Sequence, residues 1–179
     1  IVYSPSSETS VPGVSQLQRH QSAELLGYSD ADWAGAGPVE GMKSTSGHIF
    51  MMFGGPISWR SMLQHNTALS SQESEYIALS EAGKELQPLR GLLTELGFPP
   101  SGPTPLLEDN NAAITLTNEF FSSRRGRHID VRYHYIRGQR AKGVVDILHV
   151  PTAHQRADML TKNLPADAFL KHRAALLSA

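Results

Sequence analysis

The sequence predicts an α/β domain built around a mixed β-sheet. Three strand-like segments come first with only loops and turns between them, and the later strands alternate with helices. Strands joined by short turns pair antiparallel, whereas strands joined through a helix pair in parallel, so one sheet must contain both arrangements. With 179 residues, 40% of them hydrophobic, the chain is long enough to bury one sizeable core.

The first three strands are predicted from two-residue alternation and turn residues. The first runs from Leu25 to Ser29 and continues into Asp30, which falls on the same face as two apolar neighbours. Two further strands, at 47–53 and 56–61, are separated by consecutive glycines, a pattern typical of a hairpin.

A long helix is predicted next, because apolar residues recur every three or four positions over 70–96. Pro88 interrupts this stripe. A proline removes one backbone donor, so we expect it to kink the helix or split it in two. Gly97 and the proline-rich run 99–105 then end the helix.

The rest of the chain alternates strands with helices. The pattern predicts a strand at 105–107, helices at 111–118 and 129–141, and a strand at 144–150. Thr152 and Gln155 have the spacing of a capping box, which predicts a final helix that begins near Ala153.

The composition excludes several classes of protein. The chain has no cysteine, which removes disulfides, thiol nucleophiles and thiolate zinc sites. It contains no apolar run of the roughly 20 residues that span a bilayer, and its start lacks the features of a secretory signal. We expect residues 1–24 to be a connection from an upstream part of a polyprotein and residues 25–179 to be the domain.

Basic residues concentrate in one segment although the formal net charge is only −1. Between residues 120 and 142, seven lysines and arginines stand against one acid, Asp130. Such an excess can attract a polyanion, and the alternative interpretation is a solvated helical face.

Four carboxylates fall where an element begins or ends, which is where α/β folds place their chemistry. Asp30 ends the first strand, and Glu75 lies within the apolar stripe of the long helix, whereas Glu73 projects away from it. Asp109 ends the fourth strand and is preferred over Glu108 for that reason. Asp158 lies in the predicted last helix.

His154 stands four residues before Asp158, which predicts a shared helical face and either a metal-ligand pair or a surface contact. A cluster of carboxylates without cysteine suits Mg²⁺ or Mn²⁺ rather than structural zinc. Two such ions can activate water and stabilise a leaving oxygen in phosphodiester hydrolysis.

Seven segments of the chain form a recognisable ordered set. They are GYSDADWAG (27–35), KSTSGHIF (43–50), PISW (56–59), ALSSQESEYIALSEAGKE (68–85), EDNNAA (108–113), RHIDVRYHYIR (127–137) and VPTAHQRADMLTKNLP (150–165). Together they resemble the ribonuclease H domain of copia-type retrotransposon polyproteins. The resemblance implies a mixed five-stranded sheet of order 3-2-1-4-5 flanked by helices. It also implies a two-metal endonuclease that cleaves the RNA strand of RNA–DNA hybrids.

The resemblance further implies site residues and partners. The catalytic and metal-binding residues of the family fall on Asp30, Glu75, Asp109 and Asp158. Nucleic-acid contact is assigned to Arg124, Arg125, Arg127, His128 and Arg132. The implied cofactor is Mg²⁺, as two ions, with Mn²⁺ as a substitute. The implied partners are the hybrid and the reverse transcriptase domain of the same polyprotein, within cytoplasmic virus-like particles and with no membrane.

The chain departs from the family pattern at a few positions. Met62 and Leu63 stand where basic residues are usual, which puts hybrid affinity in doubt, and Pro88 replaces a residue that continues the helix. The spacing from His154 to Asp158 is shorter than in ribonucleases H with a mobile catalytic histidine, so His154 does not inherit that role.

Two alternatives to an active ribonuclease H remain open from the sequence. One is a catalytically silent module that binds hybrids or duplexes. The other is a polynucleotidyl transferase of the integrase type, which shares the sheet but ends its acidic triad with glutamate, where this chain has Asp158.

Overall fold

The fold is a five-stranded mixed sheet with helices packed on both faces. The computed structural model describes residues 24–35, 37, 41–118 and 135–177. The strands are β1 (Leu26–Asp32), β2 (Thr45–Met52), β3 (Gly55–Leu63), β4 (Thr104–Glu108) and β5 (Val145–His149). The helices are α1 (Ser71–Glu95), α2 (Asn111–Asn118), α3 (Tyr135–Ala141), α4 (Asp158–Thr161) and α5 (Ala166–Leu177).

The strand order is β3-β2-β1-β4-β5, which confirms the predicted sheet. β2 pairs antiparallel with both β1 and β3, and β4 pairs in parallel with both β1 and β5. In the β1–β4 register, Tyr28 lies opposite Leu107. Asp30 and Asp109 each follow two residues later, so the parallel register brings these two positions together at the carboxyl ends of β1 and β4.

Each face of the sheet carries its own apolar core. One core packs α1 and α3 against the sheet through buried side chains that include Phe50, Leu79 and Leu106. The other packs α4 and α5 through side chains that include Tyr28 and Leu107. The central strands are therefore buried on both sides, and polar side chains within them need partners inside the fold.

The hairpin between β2 and β3 turns one residue earlier than predicted. Its two central residues are Phe53 and Gly54, with φ of 52° and 79°, and Gly55 already belongs to β3. Positive φ at both central residues matches the twist of the flanking strands. Phe53 adopts this conformation while its ring packs edge-on against Phe98.

The long helix continues through Pro88, so the predicted split does not occur. Pro88 and Lys84, whose carbonyl loses its helical donor, are both exposed. Water can therefore satisfy that carbonyl, while Leu86 and Leu93 remain buried on the opposite side. Tertiary packing of the apolar stripe outweighs the local preference of proline.

The chain after β5 differs from the prediction. Residues Thr152–His154 form a short 3-10 turn without a side-chain cap, and α4 begins only at Asp158. The amide of Gln155 does not cap a helix. It is fully buried and donates to the carbonyl oxygen of Ser29 at 2.8 Å. The contact with β1 outweighs the local capping pattern, and His154 and Asp158 do not share one continuous helix.

Some sequence-based predictions fall on residues that the structure does not describe. These are the N-terminal connection up to residue 23 and the five residues assigned to nucleic-acid contact, at positions 124, 125, 127, 128 and 132. Among the described residues, no helix combines the length and the apolar character that crossing a bilayer requires.

Candidate active site

Asp30 lies near the carboxyl end of β1, the central strand of the sheet, with its side chain completely buried. It sits opposite Gly47 of β2. A β-carbon on Gly47 would stand 2.7 Å from a methyl group of Thr161 and 3.3 Å from the carbonyl oxygen of Ala157. Glycine at this position therefore lets α4 approach the sheet beside Asp30.

Glu75 is placed by the way α1 begins. The Ser70 hydroxyl accepts a hydrogen bond from the backbone N–H of Glu73, and the Glu73 carboxylate accepts one from the N–H of Leu69. These caps fix the first turn and use Glu73 as a structural group. Glu75 projects from the same turn toward the sheet and is 6% exposed.

Asp109 follows β4 directly and joins the other two carboxylates. Carboxylate oxygens of Asp30, Glu75 and Asp109 lie within 4.8 Å of one another. The next residue, Asn110, caps α2 by accepting hydrogen bonds from two backbone N–H groups, at 3.0 and 3.1 Å. The strand end and the helix start therefore hold Asp109 at the carboxyl end of β4, as the sequence predicts.

The close approach of these carboxylates changes the ionisation of Glu75. Burial, and then the negative charges of Asp30 and Asp109, raise the pKa of Glu75 to about 9. One oxygen of Glu75, Oε2, is buried and has no hydrogen-bond partner. Three oxygen ligands with an unsatisfied buried oxygen among them fit a hard divalent cation such as Mg²⁺ or Mn²⁺.

Glu108 forms a second buried acidic group behind Asp109. Its side chain is fully buried, with Oε1 accepting from the N–H of Asn110 at 3.1 Å and Oε2 unpartnered. Burial and the nearby Glu75 carboxylate raise its pKa well above the ordinary value. The group of three carboxylates contains Asp109 and not Glu108.

Asp158 lies at the start of α4, next to Asp30 but outside the group of three carboxylates. Its carboxylate and that of Asp30 each lie 3.0 Å from the ammonium of Lys162. Burial and the charge of Asp30 raise the pKa of Asp158 to about 6. Burial alone would lower the pKa of Lys162, but the two carboxylates raise it above its ordinary value.

Lys162 and Thr161 are site residues that sequence reasoning missed. The Thr161 hydroxyl donates to the second oxygen of Asp30. The four-residue spacing from Asp158 to Lys162 predicts an ion pair on a helix, and that signal was present in the motif ADMLTK. Both residues contact Asp30, which lies more than 130 positions earlier in the chain, and no local pattern indicates these contacts.

Gln155 holds the segment that leads to Asp158. Besides its bond to Ser29, its side-chain oxygen accepts from the N–H of Ala157 at 3.2 Å. The buried amide therefore ties the backbone before α4 to β1, where Asp30 lies. His154 is partly exposed, and it does not join the possible metal ligands that the described residues bring together.

Three basic residues of the positively charged segment are described, and the two arginines among them make structural contacts. The guanidinium of Arg137 donates to the carbonyl of Leu116 at 2.7 Å and lies over the ring of Tyr76. Arg140 donates to the Thr117 hydroxyl at 2.9 Å. These contacts tie α3 to α1 and α2, so at least this part of the segment is not simply a solvated face.

The sequence is similar to segments of transposon polyproteins. It is 42% identical over 145 residues to the retrovirus-related Pol polyprotein from transposon TNT 1-94 of Nicotiana tabacum, which is 81% of this chain and 11% of that protein. It is 42% identical over 154 residues to the Pol polyprotein from transposon RE2 of Arabidopsis thaliana, which is 86% of this chain and 10% of that protein. The chain thus spans about a tenth of these relatives. No family model matches it.

The fold is similar to solved ribonuclease H structures. LC11-RNase H1, isolated from compost by a metagenomic approach, superposes with a TM-score of 0.53 at 16% identity, over 83% of this chain and 96% of that one. At this identity the likeness establishes the fold alone. The sequence relatives show that the chain belongs to the copia-type transposon Pol polyproteins, as a segment of them, and the structural likeness shows that this segment has the ribonuclease H fold.

Proposed function

We propose that this domain is a ribonuclease H, an endonuclease that hydrolyses the RNA strand of RNA–DNA hybrids and leaves 3′-hydroxyl and 5′-phosphate ends. The observation that carries the proposal is the convergence of Asp30, Glu75 and Asp109 within 4.8 Å, from β1, α1 and the end of β4. Like charges this close oppose folding, so a function that needs them is the reasonable cause of the arrangement.

The four carboxylates would hold two Mg²⁺ ions, with Mn²⁺ as a substitute. Asp30 and Asp109 would hold both ions, Glu75 would complete one site, and Asp158 would complete the other. Bound divalent ions supply an activated water and stabilise the leaving oxygen of the phosphodiester. The burial of Asp30, Glu75 and Asp158 supports this assignment, because it weakens competition from bulk water.

The remaining residues of the site position these carboxylates. Gly47 allows α4 to lie against β2, and Gln155 anchors the segment before α4 to β1. Thr161 restrains one oxygen of Asp30 through its hydroxyl. Glu75 must be deprotonated to act as a ligand, and in that form it would also lie near the 2′-hydroxyl of the strand to be cut.

Hybrid selection would rest on shape and backbone rather than base sequence. The deep, narrow major groove of A-like helices does not admit side chains, so groove width and 2′-hydroxyl groups are what remains to be read. The backbone phosphates would be held by the basic residues Arg124, Arg125, Arg127, His128 and Arg132.

The natural partner would be the reverse transcriptase domain of the same polyprotein. The relatives matched are Pol polyproteins of transposons, and the chain covers about a tenth of each. The place of action would be a virus-like particle in the cytoplasm.

The direct test is cleavage of a labelled RNA–DNA hybrid beside the same sequence as a DNA duplex and as an RNA duplex. We expect cleavage of the hybrid alone, requiring Mg²⁺ or Mn²⁺ and several consecutive ribonucleotides. Asp30→Asn and Asp109→Asn should abolish it, whereas Glu73→Gln, which alters the helix cap outside the carboxylate group, should retain it. Equal cutting of plain DNA, or activity in excess chelator, would contradict the proposal.

The alternative function is a catalytically silent module that binds hybrids or duplexes. This alternative would be favoured if the wild-type protein bound the hybrid tightly but did not cleave it with any divalent ion tested. The four carboxylates argue against it, since a binding surface for a polyanion gains nothing from buried negative charge.

A further inference from the structure

The ammonium of Lys162 occupies a specific place in the candidate site. Its nitrogen is 3.0 Å from Asp30, whose side chain is fully buried, and 3.0 Å from Asp158, whose side chain is 7% exposed. The lysine side chain itself is 33% exposed. One cation thus pairs with two buried carboxylates that belong to different elements, β1 and α4.

The fold builds this position rather than leaving it to a mobile surface side chain. The backbone N–H of Lys162 donates to the carbonyl of Asp158 at 3.0 Å and so ends α4. The preceding residue, Thr161, donates to Asp30. Gly47 provides the space in which α4 packs against β2. These contacts hold the start of the lysine side chain beside Asp30.

The four carboxylates therefore divide into two unequal parts. Asp30, Glu75 and Asp109 form one group, in which Oε2 of Glu75 is buried and unpartnered. Asp158 lies outside this group and shares the lysine ammonium with Asp30. The group of Asp30, Glu75 and Asp109 has an unpartnered oxygen that a metal ion can bind, whereas Asp158 and Asp30 already share the ammonium of Lys162.

We propose that Lys162 is a built-in counter-ion for Asp30 and Asp158, which a second divalent ion must displace. This inference rests on the proposed function and deepens it. It assigns Lys162 as a positioning residue that keeps the two carboxylates together without metal. It also predicts that the domain binds divalent ions in sequence, the first at Asp30, Glu75 and Asp109, and the second only when the ammonium leaves.

The test is titration of the metal-free protein with Mn²⁺ in the absence of nucleic acid, by calorimetry and by electron paramagnetic resonance. Wild type should bind one ion and then a second more weakly. Lys162→Met should bind the second ion on the order of tenfold more tightly, since the competing positive charge is gone. Lys162→Arg keeps the charge and should resemble wild type. Lys84→Met removes an exposed lysine paired with Glu81 and should also resemble wild type.

Unchanged or weaker binding of the second ion by Lys162→Met would overturn the inference. A measurement on wild type does not depend on how that variant folds. In the protein with ¹³C-labelled lysine, the Cε signal of Lys162 should move less during the first equivalent of Mg²⁺, which binds beside it at Asp30, than during the second, which displaces the ammonium. Movement that is complete after the first equivalent, or no movement at saturation, would also overturn the inference.

The outcomes separate this inference from the proposed function. Sequential binding of Mn²⁺ with the expected effect of Lys162→Met, but without hybrid cleavage, would support the role of Lys162 and contradict the nuclease. Metal-dependent cleavage of the hybrid with no effect of Lys162→Met on metal binding would support the nuclease and contradict the role of Lys162.

Discussion

Replacing Glu75 with glutamine should change how the stability of the metal-free protein depends on pH. Burial and the neighbouring carboxylates raise the pKa of Glu75 from 4.5 to about 9 in the folded protein. Between these two values the folded state holds a proton that the unfolded state has released. The free energy of unfolding therefore falls as the pH rises from about 4.5 to about 9, and the contribution of protonated Glu75 is fully present only below that window.

The magnitude follows from the size of this window. Each pH unit within it removes about 1.4 kcal/mol of unfolding free energy for one proton, so the change from pH 5 to pH 8 amounts to at most about 4 kcal/mol. Glutamine keeps the shape of the protonated side chain and cannot ionise. Glu75→Gln should therefore be more stable than wild type at pH 8 in chelator and nearly equal to it at pH 5.

The assay is urea unfolding in excess chelator at pH 5, 6, 7 and 8, followed by circular dichroism. Glu108, whose pKa is raised chiefly by burial and then by the Glu75 charge, contributes a slope of the same sign that remains only in part in Glu75→Gln. Glu73→Gln is the matched control: glutamine can still accept from the N–H of Leu69, so the variant should lose only about 0.3–1 kcal/mol, from the lost charge in the first turn, and keep the wild-type slope. Equal slopes for wild type and Glu75→Gln would refute the reasoning.

Three further predictions test other parts of the site. At pH 7, binding of the first Mg²⁺ should release about one proton in wild type and none in Glu75→Gln, measured by calorimetry in buffers of different ionisation enthalpy. Gly47→Ala should push α4 away from β2, lower stability by roughly 1–3 kcal/mol and strongly reduce cleavage; wild-type cleavage would contradict the close approach. Neutralising Arg124, Arg125 and Arg127 together should weaken hybrid binding and reduce the slope of log affinity against log salt concentration by the equivalent of up to about three phosphate contacts. The rate of single-turnover cleavage at saturation should be unchanged. An unchanged salt slope would indicate a solvated face.

The sequence predicted the architecture well because its signals are local. Alternation in the early segments and the glycines at 54 and 55 predict a hairpin, and the apolar stripe over 70–96 predicts α1. The boundaries of α2 agree with the structure, and those of β4 and β5 agree within a residue. Periodicity reports which face of an element is buried, so it is strongest where an element is long and packs on one core.

Local patterns failed where a distant contact decided the conformation. Pro88 predicted a kink or a split of α1, and packing of Leu86 and Leu93 carries the helix through it without a split. Thr152 and Gln155 predicted a capping box, but Gln155 instead reaches Ser29 on β1. In both cases a buried contact is worth more than the local preference, and a buried amide without a partner would cost more than a lost cap.

The sequence by itself determined the fold class, the four candidate carboxylates and the different helix faces of Glu73 and Glu75, since strand ends and helix faces can be read from spacing. Only the tertiary structure decided that Asp30, Glu75 and Asp109 form one group while Asp158 joins Asp30 through Lys162. It also decided that the pKa of Glu75 is raised far above its usual value. The physical reason is that ionisation and ion pairing depend on distances of a few ångströms between side chains, which the packing of β1, α1 and α4 sets.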